Sequence, residues 1–242
     1  MEEIVDVNTL FGPLPVASTD LAVDALLALM QKHQVKAACT LSTLGLLLDP
    51  AIGNAATRAA CVEHAELLPV ATLNPTMYFG DAAALLRLPT EGFRLLRFFP
   101  AQQGWPIAFA PFRSLLRSLD ETRLPLMIDT DAPGALTALF DPLDTYPAPV
   151  ILSRVNVDTL AEAVAALRHH DNWYVEISRL LAPGAIQLLA ETVGASRLLF
   201  GTGAPIRPIA STLQTLQHAG LSDADRRQIL SANVRRILNL DT

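Results

Sequence analysis

The stretch Arg197-Leu-Leu-Phe-Gly-Thr-Gly-Ala-Pro205 decides the fold. An apolar run enters a Gly-rich turn and stops at a proline, which is how a buried parallel strand ends at a loop rim. It predicts a strand over Leu198–Thr202, and seven similar runs lie upstream. Short apolar, often β-branched segments predict strands at Ile4–Asn8, Ala37–Leu41, Leu68–Leu73, Phe93–Phe99, Pro125–Thr130, Val150–Val155 and Trp173–Ser178. Between them, apolar residues at three- and four-residue spacing, as in Leu160, Val164 and Leu167, predict helices. These span Leu21–His33, Ala55–Ala65, Ala82–Leu86, Phe112–Leu119, Pro133–Phe140, Val157–His169, Pro183–Val193 and Pro208–His218, the third being short and poorly defined. Pro183 and Pro208 stand where a first helical turn tolerates proline. Parallel strands need crossovers, so eight strand–helix repeats in 242 residues predict an α/β fold, a single (β/α)8 TIM barrel over residues 1–242. A doubly wound sheet would normally carry a phosphate-binding glycine loop after its first strand. That turn reads Leu10-Phe-Gly-Pro-Leu14 and has no such loop.

Composition narrows the function classes. Hydrophobic residues make up 51% and charged residues 17%, which gives ample core and argues against disorder. Net charge is −6, and the only lysines are Lys32 and Lys36. Nucleic acid is not an expected partner, because binding it needs a concentrated basic face. Cys39 and Cys61 make no CxxC motif and no disulfide framework, so free thiols are expected. The first residues, Met-Glu-Glu-Ile-Val-Asp, lack the basic and apolar regions of an export signal. No apolar run approaches the ~20 residues needed to cross a bilayer. A cytoplasmic protein with no membrane partner is the expectation.

The quoted stretch resembles the last barrel strand of the amidohydrolase-related (amidohydrolase 2) family of TIM-barrel metal-dependent hydrolases, which reads roughly R-L-L-F-G-S-D-x-P. The resemblance implies a metal-binding, proton-handling Asp where this chain has Gly203. Asp6-Val-Asn-Thr-Leu-Phe-Gly12 is similar to the family's opening D-x-H-x-H-x-G, with Asn8 and Leu10 at the histidine positions. Leu124-Pro-Leu-Met-Ile-Asp129 resembles L-P-x-x-I-H, with Asp129 in place of the histidine, and Val150-Ile-Leu-Ser-Arg154 resembles V-I-L-x-H, with Arg154 in that place. The tail Ser222–Leu240, which opens with a serine cap and acidic first-turn residues, is similar to the family's I-L-x-x-N-A-x-R-L-L, and by itself reads as a capped amphipathic helix pair. None of the implied ligand positions keeps its residue type, so neither a metal nor another cofactor is expected. The five histidines fall in or just after helices, on the face opposite the mouth, and His169-His170-Asp171 is not expected to converge on a metal.

The replacements point to polar chemistry at the strand ends, where such barrels carry their sites. Asp129 and Arg154 are the candidate catalytic residues, expected to form an ion pair in the space of the metal. Asn8, Arg97, Glu176, Ser178, Arg179 and Thr202 are the candidate ligand-binding residues, with Arg97, Arg154 and Arg179 suited to an anion. Period-2 alternation sends Arg94 and Arg97 to opposite faces, and Glu176 is expected to be neutralised by an Arg. Tyr78-Phe79, Trp105-Pro106 and Phe109 are placed as an apolar wall over the mouth, with ordinary loop packing equally open. Three functions stay open: a non-metallo, non-catalytic relative with an Arg-lined pocket for a small anionic ligand, a metal-independent hydrolase or lactonase, and a metal hydrolase with a relocated site. The oligomeric state is not fixed; dimers are common in related barrels, and an exposed apolar helix face would favour a homodimer.

Overall fold

A computed structural model describes residues 3–15 and 20–240. Its strands are β1 (Ile4–Phe11), β2 (Val35–Ser42), β3 (Leu67–Thr72), β4 (Leu95–Phe98), β5 (Leu126–Asp129), β6 (Val150–Ser153), β7 (Trp173–Glu176) and β8 (Leu198–Leu199). They pair in parallel in sequence order, β1 to β8, with helices between them. The barrel is closed by the segment after β8 rather than by β8 itself: Gly203 N–H donates to the Asn8 carbonyl at 2.7 Å and Leu10 N–H to that of Ala204 at 3.0 Å. The fold is the (β/α)8 TIM barrel that the strand–helix alternation predicts.

Alternation along the strands divides the side chains between two cores, except in β1, whose register shifts between Asp6 and Thr9. Leu95, Met127, Ile151, Tyr174 and Leu199 fill the barrel with Val5, Val7, Cys39 and Val70. Leu96, Phe98, Leu126, Ile128, Leu152 and Val175 face outward against the helices. Fully burying one such side chain stabilises the fold by about 1.5–3 kcal/mol. The terminal helix Asn233–Leu238 sends Val234, Ile237 and Leu238 into the inner core, so the strand starts are capped and the strand ends are left for polar groups.

Departures from the sequence expectations have local causes. Beyond the two residues of β8, Phe200 N–H donates to the Ile229 carbonyl at 3.0 Å and Thr202 N–H to the Asp6 carboxylate at 3.1 Å, so neither extends a ladder. The Pro133–Phe140 prediction becomes two short helices, Ala135–Ala138 and Phe140–Leu143, the first delayed by Gly134 at φ +86°. Gly184, at φ +78°, likewise defers the next helix to Ala185–Val193, leaving Pro183 outside it, and Pro208 is the cap of Ile209–Gln217 rather than part of its first turn. Two short helices, Leu44–Leu47 and Pro100–Gln103, were not signalled. Among the described residues, no helix is long and apolar enough to cross a membrane.

Candidate functional site

Inward positions at the strand ends carry a continuous polar network. Arg97, inward from β4 as alternation requires, is buried, whereas Arg94 is exposed. Its guanidinium donates from Nη1 to Asn8 Oδ1 at 2.6 Å and from Nη2 to Asp129 Oδ1 at 3.1 Å, and stacks 4.6 Å from the Phe99 ring centre. Its Nε is buried without a partner. Asn8 Nδ2 in turn donates to Glu176 Oε2 at 3.0 Å. Glu176 also accepts from Ser178 N–H at 2.5 Å, Ser178 Oγ at 2.9 Å and Ser153 Oγ at 3.4 Å. The Asp129–Arg97–Asn8–Glu176 chain therefore spans the barrel from β5 to β7, almost wholly out of water.

Two fully buried carboxylates sit in this floor. Burial pushes Asp6 up to about 7, against hydrogen bonds from Thr202 and Asn8, and the charge of Glu176 adds to the rise. Its strongest contact is the Thr202 hydroxyl, 2.5 Å from Oδ2. Glu176 is also raised, by burial first, with Ser178, Asn8 and Arg97 opposing. Each carboxyl thus favours its protonated form more than an exposed one does. Glu176 is not neutralised by direct contact with an Arg, as the sequence led us to expect; Arg97 reaches it through Asn8.

Above the floor lies a rim of arginines. Arg154 is partly exposed and spends its fork on Asp131, with Nε at 3.0 Å and Nη2 at 2.7 Å from Oδ2. The expected Asp129–Arg154 ion pair is present at 3.9 Å, but Arg97 is the closer cation to Asp129 at 3.1 Å. Arg154 sits at φ +65°, a left-handed conformation that costs a non-glycine residue about 1–3 kcal/mol and recurs at functional sites. Asn156 helps hold it, donating to the carbonyls of Asp131 and Arg154. Arg179 and Arg207 complete the rim. Burial lowers the Arg207 pKa, and the positive charges of Arg179 and Arg154 lower it further while the Glu176 carboxylate opposes, so the three guanidinium groups sit near one another above Glu176. Neither the Arg179 nor the Arg207 side chain makes a hydrogen bond or ion pair to another described residue.

Asp6 and Arg207 were not among the sequence candidates. The signal for Asp6 was its period-2 relation to Asn8. Arg207 had no sequence signal: a Cβ at Gly203 would come within 3.3 Å of Arg207 Cδ, so the arginine stem lies across Gly203. The loop aromatics do not wall the mouth. Trp105 packs on Phe98 and Phe112 in the outer core, Tyr78 bonds Ser118, and Phe79 is exposed.

All five histidines lie at helix C-terminal ends, His33, His64 and His218 as caps and His169–His170 closing Leu160–His169. The adjacent pair does lie beside a third donor. One ligand atom each from Asp144, His169 and His170 lies within 4.8 Å of the others, the one such cluster among the described residues. Helix packing brings in Asp144 as the third donor from outside the local sequence.

A family model described as Amidohydrolase matches residues 80–240, more than half of the chain. A search of curated protein sequences returned no match. Solved structures share the fold end to end at low identity. A 2,6-dihydroxybenzoate decarboxylase from Rhizobium aligns at TM-score 0.76 and 15% identity, covering 100% of both chains. A 5-carboxyvanillate decarboxylase from Novosphingobium aromaticivorans, with manganese and 4-hydroxy-3-methoxy-5-nitrobenzoic acid, aligns at 0.80 and 13%, covering 98% of this chain and 96% of its own. A dihydroxybenzoic acid decarboxylase from Polaromonas, with manganese and 2-nitroresorcinol, aligns at 0.73 and 14%, covering 100% and 98%.

Proposed function

The chain belongs to the amidohydrolase family, and on that premise we propose that it binds a small carboxylated molecule at an arginine-lined barrel mouth without a divalent metal. The observation that carries this reading is Arg207 lying across Gly203, near Arg154 and Arg179. Three guanidinium groups, two of them with no carboxylate partner of their own, make a site for an anion, and Arg presents donors that match a carboxylate in pairs.

Two structural neighbours are named with manganese, and the family pattern would place a metal at the strand ends. The residues present do not fit one. The Arg97 guanidinium, itself a cation, lies between Asn8 and Asp129. Asp6 is occupied by Thr202 and Asn8, and Glu176 by Asn8, Ser178 and Ser153. No imidazole comes from the strand ends, and an Asn side chain is a poor ligand for a transition metal. In this reading the floor holds the barrel shape and the rim does the binding: Arg179 and Arg207 take the carboxylate, and Arg154, anchored on Asp131, closes one side.

A metal-independent hydrolase is less well supported. Its base would be Asp129, held by two arginines, or Glu176, enclosed by hydrogen-bond donors. Titration calorimetry with benzoate and 2,6-dihydroxybenzoate tests the proposal. One site per chain is expected, and Arg207→Ala should weaken binding about 10- to 100-fold, as for loss of a charged hydrogen bond. Absence of saturable binding, or equal affinity in the variant, would refute it.

A further inference from the structure

We propose that Asp144, His169 and His170 form a binding site for one zinc-class transition-metal ion at the end of the barrel opposite the mouth. One donor atom from each lies within 4.8 Å of the others. Zinc takes N and O donors at roughly 2.0–2.2 Å, which places neighbouring donors about 3.3–3.5 Å apart. The remaining gap is within reach of side-chain rotation, because Asp144 and His169 are both exposed.

The two imidazoles are already oriented. His170 is buried and stacks on Trp173 with ring centres 4.0 Å apart, and His169 stacks on Phe140 at 5.2 Å. The rings stand at 88° to each other, so their nitrogens address one region from two directions. Arg197 fixes the turn beneath them by donating to the carbonyls of Leu167, His170 and Trp173. The side chains of Asp144 and His169 make no hydrogen bond or ion pair to another described residue, and His170 Nε2 is buried without a partner. Two imidazoles and one carboxylate suit zinc or its neighbours rather than magnesium. The ion would tie the end of Leu160–His169 to the end of Phe140–Leu143.

Equilibrium dialysis of the full chain against Zn2+, with Mg2+ in excess, tests the site. One zinc per chain is expected, with affinity falling at least tenfold in His169→Ala and in Asp144→Asn and unchanged in Cys61→Ser and Asp129→Asn. Zinc should also raise the melting temperature of the parent chain but not of His169→Ala. Circular dichroism checks that both exposed-site variants fold, and His169→Gln replaces any that does not. No bound zinc, or zinc held equally by the parent and both site variants, would overturn the proposal.

Discussion

Replacing Asp6 by Asn tests the electrostatics of the floor. Asp6 is fully buried and its pKa rises from 3.8 to about 7, chiefly by burial. Below about pH 4 the group is protonated in both folded and unfolded chains and costs nothing. As pH rises from 4 through 7, the unfolded chain releases its proton first, so the folded state loses stability relative to it; above 7 the loss is complete. The gap between 3.8 and about 7 corresponds to about 4 kcal/mol. This is a large share of the ~5–15 kcal/mol that holds a domain folded. An Asn keeps the shape: its oxygen still accepts from Thr202 and Asn8 N–H, and its amide faces the Thr202 hydroxyl. Urea denaturation of parent and variant at pH 4.5, 6 and 7.5 reads the difference through the midpoints. Asp6→Asn should gain on the parent steadily with pH, approaching ~4 kcal/mol at 7.5. A difference that stays flat across this range would refute the reasoning.

Further substitutions test the packing and pairing around the barrel. A Cβ at Gly201 would lie 2.6 Å from Glu176 Cγ and Oε1, so Gly201→Ala should cost about 2–3 kcal/mol and lower the melting temperature by about 4–12 °C, whereas Gly184→Ala meets open space and should cost about 1 kcal/mol of backbone strain. Equal losses in calorimetry would contradict this. Arg97→Ala leaves Asp129 buried with only the 3.9 Å contact to Arg154, at a cost of about 3–5 kcal/mol, and adding Asp129→Asn should recover most of it in a double-mutant cycle. Additive losses would show that the pair does not act as a unit.

The barrel was legible because its signals are periodic. Alternation put Arg94 and Arg97 on opposite faces, of which Arg97 is the inner one, and the apolar run at Trp173–Glu176 marked a buried strand even with a carboxylate at its end. Strand ends were read less well, since hydrogen bonds there go to side chains such as Asp6 rather than along a ladder. The site was half legible. Asn8, Arg97, Asp129, Glu176, Ser178 and Thr202 were placed by their strand positions and do join one buried network. Pairing was not, because choosing Arg97 over Arg154 as the partner of Asp129 depends on distances across the barrel. Arg207 comes from a loop, whose path no period predicts, and Asp144 meets the two histidines only through the packing of separate helices.

The central claim is that arginines, not a metal, make this mouth a carboxylate site. Calorimetric titration of the carboxylate probe into chelator-treated protein, repeated with Mn2+ and then with Arg207→Ala, tests it most directly. The account predicts the same affinity with chelator and with manganese, and about 10- to 100-fold weaker binding in the variant. Binding that appears only with manganese and survives Arg207→Ala would contradict it.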